Sequence, residues 1–286
     1  MDEALYLTPW LEYLRDENKS ENTVRAYRMR IEQFAVWFQE TNGEEIAPDR
    51  VTPTDLREYK SFLLNTKKRS PSTINLTLIA ISKWLAFHEQ QVNIPSGVEE
   101  VRSAPQWLDK LEQRSLLRAV EHEGNPRDTA LIILMLNTGL RISEVAALDI
   151  DDLTINDRSG SVIVREGKRK KYRTVALNSD VRKALKEYLN GRSNGPVFLS
   201  QRGYLQRLTS SGIRQVIDQY AYLAKLPKLH PHALRHTFAK NLLNAGEGLE
   251  MVAELLGHRS LETTRIYTQP SDTDKLRAVE KLNQNN

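Results

Sequence analysis

The segment HPHALRHTFA, residues His230–Ala239, combines histidine and arginine side chains on what we predict to be a single helix face. The helix should begin after Pro231, because the fixed φ of proline suits a first helical turn. His232 and Arg235 are three residues apart, so both side chains point from the same side. A guanidinium beside an imidazole suits a phosphate, since one neutralises its charge and the other exchanges a proton. A helix-capping histidine beside a surface arginine is the alternative.

The same segment also offers a metal-binding interpretation, which the neighbouring residues disfavour. His232 and His236 have the i, i+4 spacing of helical zinc ligands. That motif needs a glutamate after its first histidine, where this chain has Ala233, and Arg235 would repel a cation between the ligands. The chain has no cysteine, which excludes disulfides, thiolate metal sites and cysteine nucleophiles. We therefore expect no metal site.

A second segment, TGLRISEV at Thr138–Val145, places an arginine directly after an apolar helix. Gly139 has the position of a C-cap glycine. Arg141 then lies at the end of that helix, where it could contact a ligand. Its alternative roles are an exposed loop residue or an ion pair with Glu144, three residues further on.

A basic stretch between two predicted strands forms the third segment. Five of the six residues from Lys168 to Arg173 are cationic, and β-rich runs at 162–165 and 173–177 flank them. A cationic hairpin suits a phosphate or the minor groove, whereas many charge runs are simply solvated. The DNA-binding candidates here are Arg169, Lys170, Lys171 and Arg173.

The fourth segment, LLGHRSLETTRIYT, runs from Leu255 to Thr268. We expect an apolar helix to end at Gly257 and His258, and Ser260 to cap a short helix that stops before Pro270. Tyr267 then lies near the end of that short helix. It is a candidate nucleophile, although most of the ten tyrosines must belong to the core or the surface.

Length and periodicity predict two domains in a chain of 286 residues. An apolar stripe at helical spacing predicts a core-forming helix at Val24, Tyr27, Ile31, Phe34 and Phe38. We predict a helical domain over residues 1–93, a linker over 94–105 and a catalytic domain over 106–286. The second domain should contain a three-stranded antiparallel meander, so the fold class is mainly α with a small β-meander.

Charge is unevenly distributed between the two parts of the chain. Residues 1–103 hold 13 Lys/Arg and 16 Asp/Glu, whereas the remainder holds 28 and 21. This asymmetry suggests that the second part meets a polyanion, and an unevenly solvated surface is the alternative. The apolar run Ala130–Leu136 is far shorter than the roughly 20 residues of a membrane span. The N-terminus begins with acidic residues, so we expect that it is not a signal peptide. We therefore expect a cytoplasmic protein without membrane contact.

In their order along the chain, these segments closely resemble the tyrosine recombinase (phage integrase) family. The resemblance is carried by TGLRISE, GKRKKYR, HALRHTFA, LLGH and the terminal IYT, and it covers about 180 residues. The first helical unit resembles the SAM-like core-binding domain of Xer-type members. The resemblance implies that the catalytic positions of the family fall on Arg141, Lys168, His232, Arg235, His258 and Tyr267.

The resemblance also implies a role for each position. Tyr267 would be the nucleophile, His232 the acceptor of its proton, and Glu144 a supporting acidic residue. The two arginines and His258 would stabilise the charge of the transition state, and the hairpin lysine would protonate the leaving 5′-oxygen. Arg169 stands where the family usually has a second glycine after the lysine, so Lys170 and Lys171 are alternatives to Lys168.

The implied reaction is site-specific DNA recombination through a covalent 3′-phosphotyrosyl intermediate, without metal, ATP or another cofactor. The implied partner is a double-stranded recombination site bound by a homotetramer, with a monomer or dimer in free solution. A C-terminal helix at about 271–282 would dock on a neighbour or fold back in cis. We expect resolution of DNA dimers or cointegrates, as in chromosome partition during cell division. An integrase, a type IB topoisomerase-like enzyme and a non-catalytic DNA-binding regulator are the alternatives.

Overall fold

The computed structural model describes residues 6–100, 105–166, 171–201, 206–257 and 260–267. The chain separates into two compact units, residues 1–102 and 103–286. The described residues are mainly helical, with one three-stranded antiparallel sheet in the second unit. This confirms the predicted fold class. Within the described ranges, no helix is long and apolar enough to cross a membrane.

Four α-helices form the described part of the first unit. They are α1 (Thr8–Asp16), α2 (Glu21–Asn42), α3 (Pro53–Ser61) and α4 (Pro71–Phe87). A π-helical turn, Phe62–Thr66, continues α3. The side chains of Ser20, Thr52 and Ser70 each accept a hydrogen bond from a backbone N–H in the first turn of the helix that follows. These caps explain where α2, α3 and α4 begin.

The apolar stripe of α2 lies in the core of the first unit, as predicted. All five of its residues are buried, and they pack among aromatic and aliphatic side chains of the other helices, including Trp10, Leu56 and Trp84. Burying one large apolar side chain stabilises the fold by about 1.5–3 kcal/mol. The stripe therefore holds the four helices together.

The beginning of the predicted linker is attached to the first unit. The side chain of Asn75 on α4 donates to the carbonyl of Val98 at 2.9 Å and accepts from its N–H at 2.7 Å. Lys60 donates to the carbonyl of Ser96 at 2.8 Å. A Cβ at Gly97 would lie 2.8 Å from the Asn75 Oδ1, so only glycine fits this close approach. Residues 94–100 are therefore a strap held by side chains that lie far away in the sequence.

The second unit surrounds a larger core with helices and one sheet. Its helices are α5 (Lys110–Glu123), α6 (Pro126–Thr138), α7 (Ile142–Ala147), α8 (Ser179–Leu189), α9 (Ser210–Leu223), α10 (Pro231–Asn244), α11 (Leu249–Leu256) and α12 (Glu262–Arg265). The apolar run of α6 is almost completely buried, and α6 packs against α8 and α10.

The sheet follows the order β1-β2-β3, with strands Leu153–Ile155, Gly160–Glu166 and Lys171–Ala176. Successive residues of a strand face opposite sides, so Val162 and Val175 are buried whereas Ile163 is exposed. The pair formed by residues 166 and 171 is the last one of the β2–β3 ladder. The meander is the one that the sequence predicts.

Gly139 ends α6 in a conformation that brings α10 close. Its φ is +61°, in the left-handed region that favours glycine, and its N–H bonds to the carbonyl of Met135. A Cβ at this position would lie 2.4 Å from the ring of Phe238 on α10. The predicted C-cap glycine therefore also lets the end of α6 contact the helix that carries Arg235.

Candidate active site

Arg235 occupies the buried centre of the site. Its side chain points from α10, and its Nη1 and Nη2 donate to the carbonyls of Gly139 at 2.6 Å and Leu256 at 2.8 Å. Those carbonyls end α6 and α11, where the partial negative charge of a helix favours a cation. Only 4% of the residue is exposed. Burial, reinforced by the nearby Arg141, lowers the pKa of Arg235 to about 10, so it stays charged at neutral pH.

Arg141 lies beside Arg235 but is more open to solvent. It precedes α7, and its Nη2 donates to the carbonyl of Gly257 at 3.3 Å, one residue beyond the carbonyl that Arg235 contacts. Its backbone N–H and its Nη1 both donate to Glu144, each at 2.7 Å. The ion pair considered from the sequence is therefore present. With 37% of its side chain exposed, Arg141 can still reach a ligand.

Glu144 joins the segment that carries Arg141 to strand β3. Arg173 on β3 binds both of its carboxylate oxygens, at 3.0 and 2.8 Å, and donates from Nε to the carbonyl of Leu255 at 3.1 Å. The side chains of Glu144 and Arg173 are each 11% exposed. Burial raises the pKa of Glu144, but the hydrogen bonds and charges of Arg173 and Arg141 outweigh this effect and lower it. Glu144 is therefore an ionised carboxylate that holds Arg141 and Arg173 in place.

DNA binding by Arg173 stays a prediction, and the structure gives this side chain internal partners. Its guanidinium is buried and its hydrogen bonds go to Glu144 and Leu255. The alternation of β3 contains the signal that was missed, because Arg173 lies two residues before the buried Val175 and so faces the interior. Arg173 therefore holds strand β3 against Glu144 and against Leu255 of α11.

Tyr267 lies in the site and is 1% exposed. It follows α12, where the N–H of Glu262 donates to the Ser260 hydroxyl at 3.2 Å, and it packs among Phe238, Val252 and Leu256. Burial raises the pKa of its hydroxyl, whereas the positive charges of Arg235 and Arg141 lower it. The tyrosine is thus protonated, and it lies within the electrostatic influence of both predicted catalytic arginines.

His236 contacts the tyrosine hydroxyl. The Nδ1 of His236 lies 2.8 Å from the Tyr267 Oη, and the two rings are 5.2 Å apart. His232 lies about one helical turn earlier on α10, with its ring 6.3 Å from that of His236. His232 as the proton acceptor therefore stays a prediction from the resemblance, whereas the structure places His236 beside the hydroxyl. The sequence contained His236, but it suggested only the rejected zinc interpretation.

The ring of His232 lies among positively charged side chains. Burial lowers its pKa, and the positive charges of His230, Arg235, Arg214 and Arg141 add to the effect. A neutral imidazole beside two arginines can donate a hydrogen bond to an anion without adding a third full charge. Phosphate binding by His232 stays a prediction that this environment suits.

Several predicted positions lie outside the described residues. They are Lys168, Arg169, Lys170, His258 and the C-terminal helix at about 271–282. Lys171 begins β3, opposite residue 166. Within the described ranges, no group of three histidine and carboxylate side chains could hold a metal ion.

Known proteins resemble the chain over almost its full length. A model of the phage integrase family matches residues 106–274, and a model of the phage integrase N-terminal SAM-like domain matches residues 6–90. Tyrosine recombinase XerC of Roseiflexus sp. (strain RS-1) is 34% identical, over 91% of this chain and 87% of the relative. The TnP I resolvase of Bacillus thuringiensis is 29% identical, over 94% and 97%.

The structure of XerH site-specific recombinase bound to its difH substrate has the same fold. The TM-score is 0.71 at 24% identity, with 96% of this chain and 83% of that chain covered. The match extends across both units, as the two family models also do. The chain therefore belongs to the phage integrase family, as a Xer-like tyrosine recombinase.

Proposed function

We propose that this protein cleaves and rejoins DNA strands at a specific site through a covalent bond between Tyr267 and a 3′-phosphate. The observation that carries the proposal is the convergence of two arginines and a tyrosine. Arg235 and Arg141 donate to the carbonyls of the adjacent residues Leu256 and Gly257, and both act electrostatically on Tyr267. The two cations suit binding of a phosphodiester, and the phenol beside them suits the role of nucleophile.

The chemistry follows from these residue types. A covalent phosphotyrosine conserves the energy of the cleaved phosphodiester, so strands can be rejoined without ATP. Negative charge that develops on the nonbridging oxygens would be stabilised by Arg141 and Arg235, each donor contributing about 3–4 kcal/mol in comparable sites. We propose that His232 and, from the resemblance, His258 also donate hydrogen bonds to these oxygens. We assign protonation of the 5′-oxygen to Lys168.

The proposed partner is a double-stranded recombination site. Exchange of strands between two such sites needs two synapsed duplexes and four strand cleavages. Because each cleavage uses one tyrosine, we propose a homotetramer on DNA. We assign the protein to the resolution of DNA dimers or cointegrates, because the relatives include a Xer recombinase and a resolvase that match nearly full length. Integration of a mobile element is the competing role.

A covalent-trapping experiment tests the proposal. Duplexes that carry a nick close to the cleavage position lose a short fragment on cleavage, so the protein stays attached and migrates as a denaturant-resistant band. We expect this band with the wild type and with Tyr222→Phe, an exposed tyrosine on α9, and no band with Tyr267→Phe. A wild type that gives no band, or a Tyr267→Phe variant that gives one, would falsify the proposal.

A second assay separates recombination from topoisomerase activity. Plasmids with two copies of the cleaved site should yield two circles if the protein exchanges strands between them. Relaxation of supercoiled plasmids without a preferred site would instead indicate the type IB alternative, and DNA binding without any adduct would indicate a regulator.

A further inference from the structure

Three histidines, His230, His232 and His236, lie at the N-cap of α10 or within it, and their contacts distinguish them. The Nδ1 of His230 accepts a hydrogen bond from the N–H of Ala233 at 3.2 Å, so this ring caps the helix. His232 lies among arginines, where its pKa is lowered. The ring of His236 contacts the tyrosine hydroxyl through Nδ1, at 2.8 Å.

We propose that His236 is the catalytic base that accepts the proton of Tyr267 when the tyrosine attacks the phosphodiester. The inference rests on the proposed function and adds a residue to it. A base must lie within hydrogen-bond reach of the proton that it removes, and His236 satisfies this condition. With Nδ1 as the acceptor, its own proton lies on Nε2.

The protonation state of His236 fits this role. Burial lowers its pKa to about 4, and the positive charges of His232, His230 and Arg235 contribute to the shift. The imidazole is therefore neutral at pH 7 and its Nδ1 lone pair is free to accept a proton. The hydroxyl of Tyr267 faces it from the segment after α12, and the charge of Arg141 acts on that hydroxyl.

A bound phosphodiester would make the proton transfer easier. An anion beside Arg235 and His232 offsets the positive charges that oppose protonation of His236, so it raises the basicity of the imidazole. The acidity of the tyrosine hydroxyl increases at the same time as its oxygen bonds to phosphorus. Substrate binding therefore couples the two groups, and the free enzyme keeps its tyrosine protonated.

The atoms balance over the two half-reactions. In cleavage, the bond from Tyr267 Oη to phosphorus forms, its proton passes to His236 Nδ1, and the bond from phosphorus to the 5′-oxygen breaks. The 5′-oxygen takes a proton from the hairpin lysine, assigned to Lys168. In rejoining, the 5′-hydroxyl attacks phosphorus and passes its proton back to the hairpin lysine. The bond from phosphorus to Tyr267 Oη breaks, and His236 returns its proton to the departing tyrosine oxygen.

The test compares His236→Gln with the matched variant His122→Gln, which changes an exposed histidine on α5. Two nicked substrates are used, one with ordinary phosphodiesters and one with a sulfur at the bridging 5′ position, which needs no acid. We expect His236→Gln to lose about 10²–10⁴-fold in cleavage rate on both substrates, because a missing base slows the attack itself. Lys168→Ala should be restored on the sulfur substrate alone, and His122→Gln should match the wild type.

The pH profile and chemical rescue provide independent readouts. The wild-type rate should fall at low pH as His236 becomes protonated, and this acidic limb should disappear in His236→Gln. A His236→Ala variant should regain activity with added imidazole, which replaces the missing base. DNA affinity and unfolding temperature are measured for each variant, so a folding defect is recognised directly.

Two results would overturn the inference while leaving the proposed function intact. In the first, the wild type forms the adduct and the His236→Gln variant cleaves as fast as the wild type or faster. This is expected if the histidine only holds the resting tyrosine. The other is a folded His236→Ala variant that is slow and that imidazole does not restore. A wild type without any adduct would instead contradict the proposed function.

Discussion

A single carboxylate, that of Glu144, balances two arginines in this site. It accepts hydrogen bonds from the backbone and side chain of Arg141 and from both terminal nitrogens of Arg173. Removing one member of a buried ion pair leaves the other charge without compensation. The stability of the second unit should therefore depend strongly on this residue.

We expect Glu144→Gln to lower the free energy of unfolding by about 3–5 kcal/mol, as found for broken buried pairs. The matched control is Glu44→Gln, which removes the carboxylate of an exposed pair with Arg50 and should cost less than about 1 kcal/mol. Urea unfolding of both variants measures the difference. Equal effects at the two positions would contradict the structural role of Glu144.

A second prediction concerns His236 and the pH dependence of stability. Its pKa is lowered to about 4 in the folded protein, whereas an unfolded histidine has a pKa of about 6.5. The unfolded chain therefore binds more protons between these values, and stability falls as pH decreases from about 6.5 to 4. Relative to His236→Gln, the wild type should lose stability across this window. Parallel curves of unfolding free energy against pH would show that His236 does not contribute.

The elements of the fold are more predictable than the contacts between them. The caps at Ser20, Thr52 and Ser70 and the glycine at the end of α6 are local signals, because each acts on the helix next to it in the sequence, and Gly139 lies where the sequence predicts. The strap at 94–100 and the inward orientation of Arg173 depend on partners far away in the sequence. Periodicity identifies an extended segment but does not identify the side chain that holds it.

Two C-cap glycines allow a test of how closely α6 approaches α10. Gly124 and Gly139 both have a positive φ, but a Cβ would meet no atom within 4 Å at Gly124 and would lie 2.4 Å from Phe238 at Gly139. Gly124→Ala should cost about 1–2 kcal/mol for the left-handed backbone. Gly139→Ala should cost about 1–3 kcal/mol more, because the ring must shift. Thermal or urea unfolding measures both, and similar losses would exclude the close approach.

The attachment of the strap can be tested by proteolysis. Asn75→Ala removes both hydrogen bonds to Val98, each contributing about 0.5–1.5 kcal/mol. A glutamate-specific protease should then cut after Glu99 or Glu100 roughly tenfold faster, since 1.4 kcal/mol changes an opening equilibrium tenfold. Asn65→Ala, which removes one exposed hydrogen bond within the turn that continues α3, is the control. An unchanged rate in Asn75→Ala would mean that the strap is held by other contacts.

For the whole molecule, the sequence identified the family through the order of its motifs. The structure brings Arg141, Arg235 and Tyr267 together, and the motifs that contain them are local and distinctive; their catalytic roles stay predictions. The partner of the tyrosine hydroxyl was not predicted. It depends on the rotation of α10 and on where the chain returns after α12, and these follow from packing of the whole second unit.

The central claim is that Tyr267 forms a covalent bond with a 3′-phosphate of DNA. Mass spectrometry can locate that bond after incubation of the protein with a library of random duplexes that carry random nicks, followed by nuclease and trypsin digestion. We predict a nucleotide attached to the tryptic peptide of residues 266–275, on its single tyrosine, Tyr267. An adduct on any other residue, or no adduct on any peptide, would contradict the account.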